Sequence, residues 1–117
     1  MKRFGFGVLI VVMSLSINVF GNNIPVKIKV KYLDAGMMGM HGATVPIVEV
    51  ISASNSIIIK DVIGNRGNCP MTAYRKAQFP QKLKFGELAT AGFKMGCNLI
   101  EIDVVTNQGT WSWSIGN

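Results

Sequence analysis

Apolar and polar residues alternate one for one at the start of the readable pattern. Ile24, Val26, Ile28, Val30 and Tyr32 fall on one side, and Pro25, Lys27, Lys29 and Lys31 on the other. A period of two predicts a strand with one buried and one wet face. Pro25 has no N–H to give to a ladder, so it belongs at the first residues of that strand or on a sheet edge. Asp34 to Gly42 then breaks the alternation with three glycines and predicts a loop. Thr44 to Ser52 is rich in β-branched residues and predicts a second strand, with Pro46 assigning at least its first part to an edge or a bend. Ser52, Ser54, Asn55 and Ser56 supply turn chemistry before Ile57 to Ile63, whose four isoleucines and Val62 suit a strand buried on much of both faces. The second and third strands are placed to form a hairpin.

Gly64 to Asn68 makes an emphatic turn into Cys69 and Pro70, and Met71 to Pro80 dictates no single state. Gln81 to Glu87 alternates Leu83 and Phe85 against Lys82 and Lys84, and Gly92 and Gly96 bracket a short connection to Cys97. Asn98 to Thr106 is the strongest core candidate. Glu101 and Asp103 share a face with Leu99 and Val105, which turns Ile100, Ile102 and Val104 inward. Asn107, Gln108 and Gly109 predict a three-residue hairpin loop with Gly109 at positive φ. In the last strand Trp111, Trp113 and Ile115 lie opposite Thr110, Ser112 and Ser114. No helical period is sustained. About seven short strands separated by turn signals predict an all-β fold, a small immunoglobulin- or fibronectin type III-like β-sandwich, with a small barrel as the alternative.

The N-terminal segment changes the setting of this domain. Lys2 and Arg3 precede an apolar stretch densest from Val8 to Met13, too short to span a bilayer, and Val19 and Gly21 sit three and one before an expected cut. Residues 1–21 are therefore expected to be a cleaved signal peptide, leaving 22–117 as a single domain with no stable membrane anchor, periplasmic or secreted. The formal charge of +6 includes Lys2 and Arg3, so residues 22–117 carry 10 basic against 6 acidic side chains. That excess is modest. No basic cluster is interleaved with aromatics, which argues against nucleic acid as a partner.

Cys69 and Cys97 are the only cysteines, so an oxidising compartment makes one intramolecular disulfide the default. The alternatives, a redox dithiol or a metal thiolate pair, lack the C-x-x-C spacing and further ligands such sites use. His41 is the only histidine and the six acids are scattered, so catalysis is not expected and no catalytic residues are assigned. Met37, Met38, Met40 and His41 combine three thioethers and an imidazole, ligand types suited to Cu(I), between glycines at 36, 39 and 42. The competing role of this loop is packing or protein contact. Trp111 and Trp113 read as core-facing residues of a terminal strand rather than a binding platform. That strand can pair with another chain by augmentation or exchange.

The run Ile57-Ile58-Ile59-Lys60-Asp61-Val62-Ile63-Gly64-Asn65-Arg66-Gly67-Asn68-Cys69 resembles the interleukin receptor mimic protein family, small exported proteins of enterobacteria. So do Leu83-Lys84-Phe85-Gly86, Cys97-Asn98-Leu99-Ile100-Glu101-Ile102 and Thr106-Asn107-Gln108-Gly109-Thr110-Trp111. The resemblance implies a fibronectin type III-like sandwich, a Cys69–Cys97 disulfide, dimerisation by strand exchange, and binding of host cytokines as a virulence activity. The methionine-rich loop has no counterpart in it. The leading expectation is an exported protein-binding module without cofactor, with partner contacts expected at Asp34, Met37, Met38, Met40 and His41 and at Asn65, Arg66 and Asn68. The alternatives are a periplasmic copper-binding protein using the Met/His loop, and an accessory subunit of a surface assembly pairing through an edge strand.

Overall fold

The computed structural model describes residues 24–34 and 42–116. The expected signal segment, residues 1–21, and the loop residues Met37, Met38, Met40 and His41 lie outside the described residues. Seven strands form two antiparallel sheets. The first sheet has the order β1 (Val26–Asp34), β2 (Thr44–Ser52), β5 (Leu88–Gly92). The second has the order β4 (Gln81–Leu83), β3 (Ile57–Gly64), β6 (Glu101–Thr106), β7 (Gly109–Ser114). The only helical pieces described are the 3₁₀ turn Asn65–Gly67 and the single turn α1 (Ala73–Lys76). The all-β sandwich read from the alternation is the fold observed. The fourth strand pairs with the third, whereas in immunoglobulin constant domains it joins the sheet of the first, second and fifth.

The core lies between the inward faces. Val26, Val48, Val50, Ala89 and Ala91 come from the first sheet, and Ile57, Ile59, Val62, Leu83, Ile102 and Val104 from the second. Phe93, Leu99 and Cys69 fill the end where the chain crosses between sheets. The Cys69–Cys97 disulfide spans a Cα–Cα distance of 6.0 Å at that same end.

Several local expectations change. β2 and β3 do not form a hairpin. They belong to opposite sheets, and the Ser52–Ser56 segment arches between them, with Ser52 Oγ donating to the Ser54 carbonyl (2.8 Å) and Ser54 Oγ to the Ser56 carbonyl (3.1 Å). β2 is also central rather than an edge. Pro46 is tolerated because the β5 ladder starts at Ile47, and the Pro46 carbonyl still accepts from Phe93 N at 3.0 Å. β3 is not buried on both faces. The register slips between Ile59 and Asp61, and this bulge leaves Lys60 exposed. Inward positions thus change phase from Ile57 and Ile59 to Val62 and Gly64.

Leu99 and Ile100 exchange their expected places. Leu99 is buried and Ile100 is 55 % exposed, because the strand begins only at Glu101 and the preceding segment is irregular. Phe85 is 69 % exposed rather than inward. The chain turns at Lys84–Glu87, where the Glu87 carboxylate accepts from Lys84 N (2.8 Å) and Gly86 takes φ 84°. The β6–β7 loop has two residues, not three, since Thr106 pairs with Gly109, although Gly109 does hold φ 133°. The sequence pattern does not mark β5 as a strand.

Candidate interaction surface

The turn after β3 is where the sequence motif Gly-Asn-Arg-Gly acts. Asn65 and Arg66 both adopt left-handed backbone, φ 50° and φ 56°. Such a pair is unfavourable for residues with side chains unless local bonds hold it. Asn65 supplies them. Its amide donates to the Asn98 carbonyl (2.8 Å), and its Oδ1 accepts from Ile100 N (2.8 Å) and Glu101 N (3.2 Å). One side chain therefore satisfies three backbone groups of the irregular segment leading into β6.

Arg66 continues the same clamp from the solvent side. Its Nε donates to Glu101 Oε1 at 3.1 Å and to Oε2 at 3.3 Å. The hydrogen bond first, and the charge of Glu101 second, hold the Arg66 pKa above its ordinary value. Tyr32, near the end of β1, reaches across the sandwich end and accepts from Leu99 N through its hydroxyl (3.1 Å). Asn65, Arg66, Asn68, Ile100 and Glu101 line an open depression here of about 440 Å³. The Asn65 amide and the Arg66 Nε are already used in holding the turn, and Ile100 is the exposed apolar element of the depression.

Asp34 closes β1 opposite Thr44. Of the expected contact residues, the structure thus brings Asn65, Arg66 and Asn68 to one depression. Met37, Met38, Met40 and His41 remain outside the described residues. Among the described residues no group of three or more His, Cys, Asp or Glu is placed to hold a metal ion, and no helix is long and apolar enough to cross a membrane. Glu49 pairs with Lys31 (3.1 Å) and Asp61 with Lys76 (3.2 Å). Asp103 Oδ1 is buried without a hydrogen-bond partner among the described residues.

The edges of the two sheets differ in how they are protected. Edge strands expose unpaired backbone groups, and proteins guard them with charge, proline, shortness, bulges or a covering segment. β1 carries Lys27, Lys29 and Lys31 and starts after Pro25. β4 has three residues. β5 is covered at one end by the segment after Cys69, where Thr72 N donates to the Gly92 carbonyl (2.9 Å) and Met71 bridges to Phe93. β7 has six residues and, among the described residues, none of these devices.

The direction of its free groups follows from one bond. Ile115 N donates to the Ile100 carbonyl at 2.9 Å, so by antiparallel alternation Trp113 and Trp111 turn their backbone groups to β6. Thr110, Ser112 and Ser114 turn theirs to the open side. Their side chains are exposed and uncharged, while Trp113 and Ile115 pack against the core and secure the strand. The hairpin tip is anchored too. Thr106 Oγ1 accepts from Gln108 N (2.9 Å), the Gln108 amide reaches Ser54 Oγ (3.2 Å) and the Ser56 carbonyl (3.0 Å), and Asn107 Oδ1 accepts from Ile58 N (2.9 Å).

Sequence reasoning singled out the 65–68 turn but missed Ile100 and the clamp on residues 98–101. The signal for the clamp was the Asn-Arg-Gly run itself, because Asn is the residue with a side chain most often found left-handed in a turn. Comparison with protein-family models, with curated proteins and with solved structures gives no match for this chain.

Proposed function

We propose that this protein is an exported, non-catalytic binding module that engages a protein partner by adding a strand at the free edge of β7. The observation that carries the proposal is the contrast among edges: β7 alone among the described edge strands has six residues without charge, proline, bulge or cover. Main-chain hydrogen bonds from Thr110, Ser112 and Ser114 would supply affinity, and their side chains with the neighbouring Trp111 would supply selectivity. The disulfide and the twenty-one-residue N-terminal signal pattern support export. The resemblance of 57–69, 83–86, 97–102 and 106–111 to the interleukin receptor mimic family makes a host cytokine the first partner class to test.

The test is surface plasmon resonance of the oxidised domain against a panel of immobilised host interleukins. Saturable binding of at least one, tighter than about 10 μM, is the expected result. Folded, oxidised protein that binds none of them would remove the cytokine reading. The same edge favours a second reading, a subunit of a bacterial surface assembly held by strand pairing. Stable co-purification with an envelope protein, lost when the β7 edge is blocked, would select it.

A further inference from the structure

The outer face of the first sheet presents a second surface that the alternation of Lys27, Lys29 and Lys31 only half reveals. Register aligns three rows across this face: Lys27–Ile51–Leu88, Lys29–Glu49–Thr90 and Lys31–Ile47–Gly92. Each row begins with a lysine on β1 and ends with a neutral residue on β5. Lysines two apart on one strand stand about 7 Å from one another, so their charges add along the flank. One carboxylate answers them, and Glu49 is taken by Lys31 at 3.1 Å. Among the described residues Lys27 and Lys29 have no ion-pair partner. At the far end the Arg75 stem packs over Gly92, 3.3 Å from where a Cβ would stand, adding another cation beside Ile47.

The apolar part is open. Leu88 is 47 % exposed, and Ile47 and Ile51 are half-buried although they point away from the core. In a solvated sheet face these positions are ordinarily polar. Here they form two apolar spots separated by the Lys31–Glu49 pair and flanked by uncompensated positive charge.

We infer that the outer face of the β1-β2-β5 sheet docks a protein surface that is apolar at its centre and carries carboxylates along the side that meets Lys27 and Lys29. The charge arrangement chooses the occupant. A second copy of this chain would bring to this face only Glu49, already paired with Lys31, as an acid to answer the lysines, and an anionic membrane would meet Glu49 at the middle of the patch. An acidic-apolar protein surface answers both the lysine flank and the isoleucine–leucine rows. The inference assigns a face of the sheet, not the β7 edge, so the two proposals stand or fall separately.

A short synthetic peptide alternating glutamate with leucine is the probe, titrated into the isotope-labelled, oxidised domain and followed by methyl and amide NMR. Saturable shifts are expected at the Ile47, Ile51 and Leu88 methyls, with affinity at least about tenfold weaker for K27E/K29E and retained for K27R/K29R. Both lysines are exposed, and the amide spectrum of each variant checks that the fold is kept. Shifts at the Thr110, Ser112 and Ser114 amides instead, or an affinity indifferent to charge reversal, would overturn the inference. Methyl shifts with phosphatidylglycerol vesicles but not with the peptide would overturn it in favour of a lipid surface.

Discussion

Asn65 shows how one side chain sets the geometry of a whole sandwich end. Its three hydrogen bonds join the turn after β3 to the segment before β6, and they hold two successive residues in left-handed backbone. Asn65→Ala removes all three and leaves two backbone N–H groups to find other partners. The expected loss is about 2 to 3 kcal/mol in urea unfolding, whereas Arg66→Ala, which removes an exposed ion pair, is expected to change stability by no more than about 1 kcal/mol. Equal effects for the two would show that the turn is not held by Asn65. Gly64 is a second sensitive residue for a different reason. A Cβ there would lie 3.0 Å from the Cys69 carbonyl oxygen and 3.0 Å from Phe93 Cε2. Gly64→Ala is therefore expected to cost roughly 1 to 3 kcal/mol by overpacking, and a neutral result by the same unfolding measurement would contradict the packing described. The glycine was legible as a turn signal. Its close approach to Phe93 was not, because the contact is set by the crossing of distant segments.

At the scale of elements, the disulfide closes the 69–97 loop, which holds α1, β4 and β5. They are the two shortest strands and the single α-helical turn described. Removing the bond with Cys69→Ala and Cys97→Ala is expected to lower stability by about 3 to 4 kcal/mol, seen as a shift of the thermal unfolding midpoint; an unchanged midpoint would leave the bond without a structural role. The β6–β7 turn is the hinge that the expected strand exchange would use. Deleting Asn107 and Gln108 leaves Thr106 and Gly109 too close to reverse the chain, so β7 is expected to leave its own sheet for a second copy and give a dimer by sedimentation velocity. A folded monomer would rule out this turn as the hinge.

How far the elements could be read depended on whether each kept a single phase. β1, β2 and β7 alternate without interruption, as in Ile28-Lys29-Val30 and Trp111-Ser112-Trp113. β3 hides a bulge at Lys60, which a count of isoleucines does not show. β5 is Leu-Ala-Thr-Ala-Gly, whose small residues have weak strand preference and gain their place only by packing under the other sheet. Leu99 and Ile100 mislead for a related reason, since the apolar run extends back beyond Glu101, where the strand starts.

For the whole molecule, the two sheets offer different kinds of contact. Among the described residues the second sheet ends in an open edge whose free groups lie on Thr110, Ser112 and Ser114; the first offers a face. The edge was partly visible in the sequence, as a terminal strand after a tight turn. Its significance came only from the other three edges, because which strands lie outermost is a property of strand order. Two of the candidate contact residues, Asn65 and Arg66, use side-chain polar groups within the fold itself.

The most direct test of the edge compares the wild-type domain with Ser112→Pro against the interleukin that the binding panel retains. Proline removes the one N–H of Ser112, which points away from β6, and leaves the ladder to β6 intact. The expected result is at least about a tenfold loss of affinity with an unchanged thermal midpoint. Unaltered affinity in the folded variant would contradict strand addition at β7.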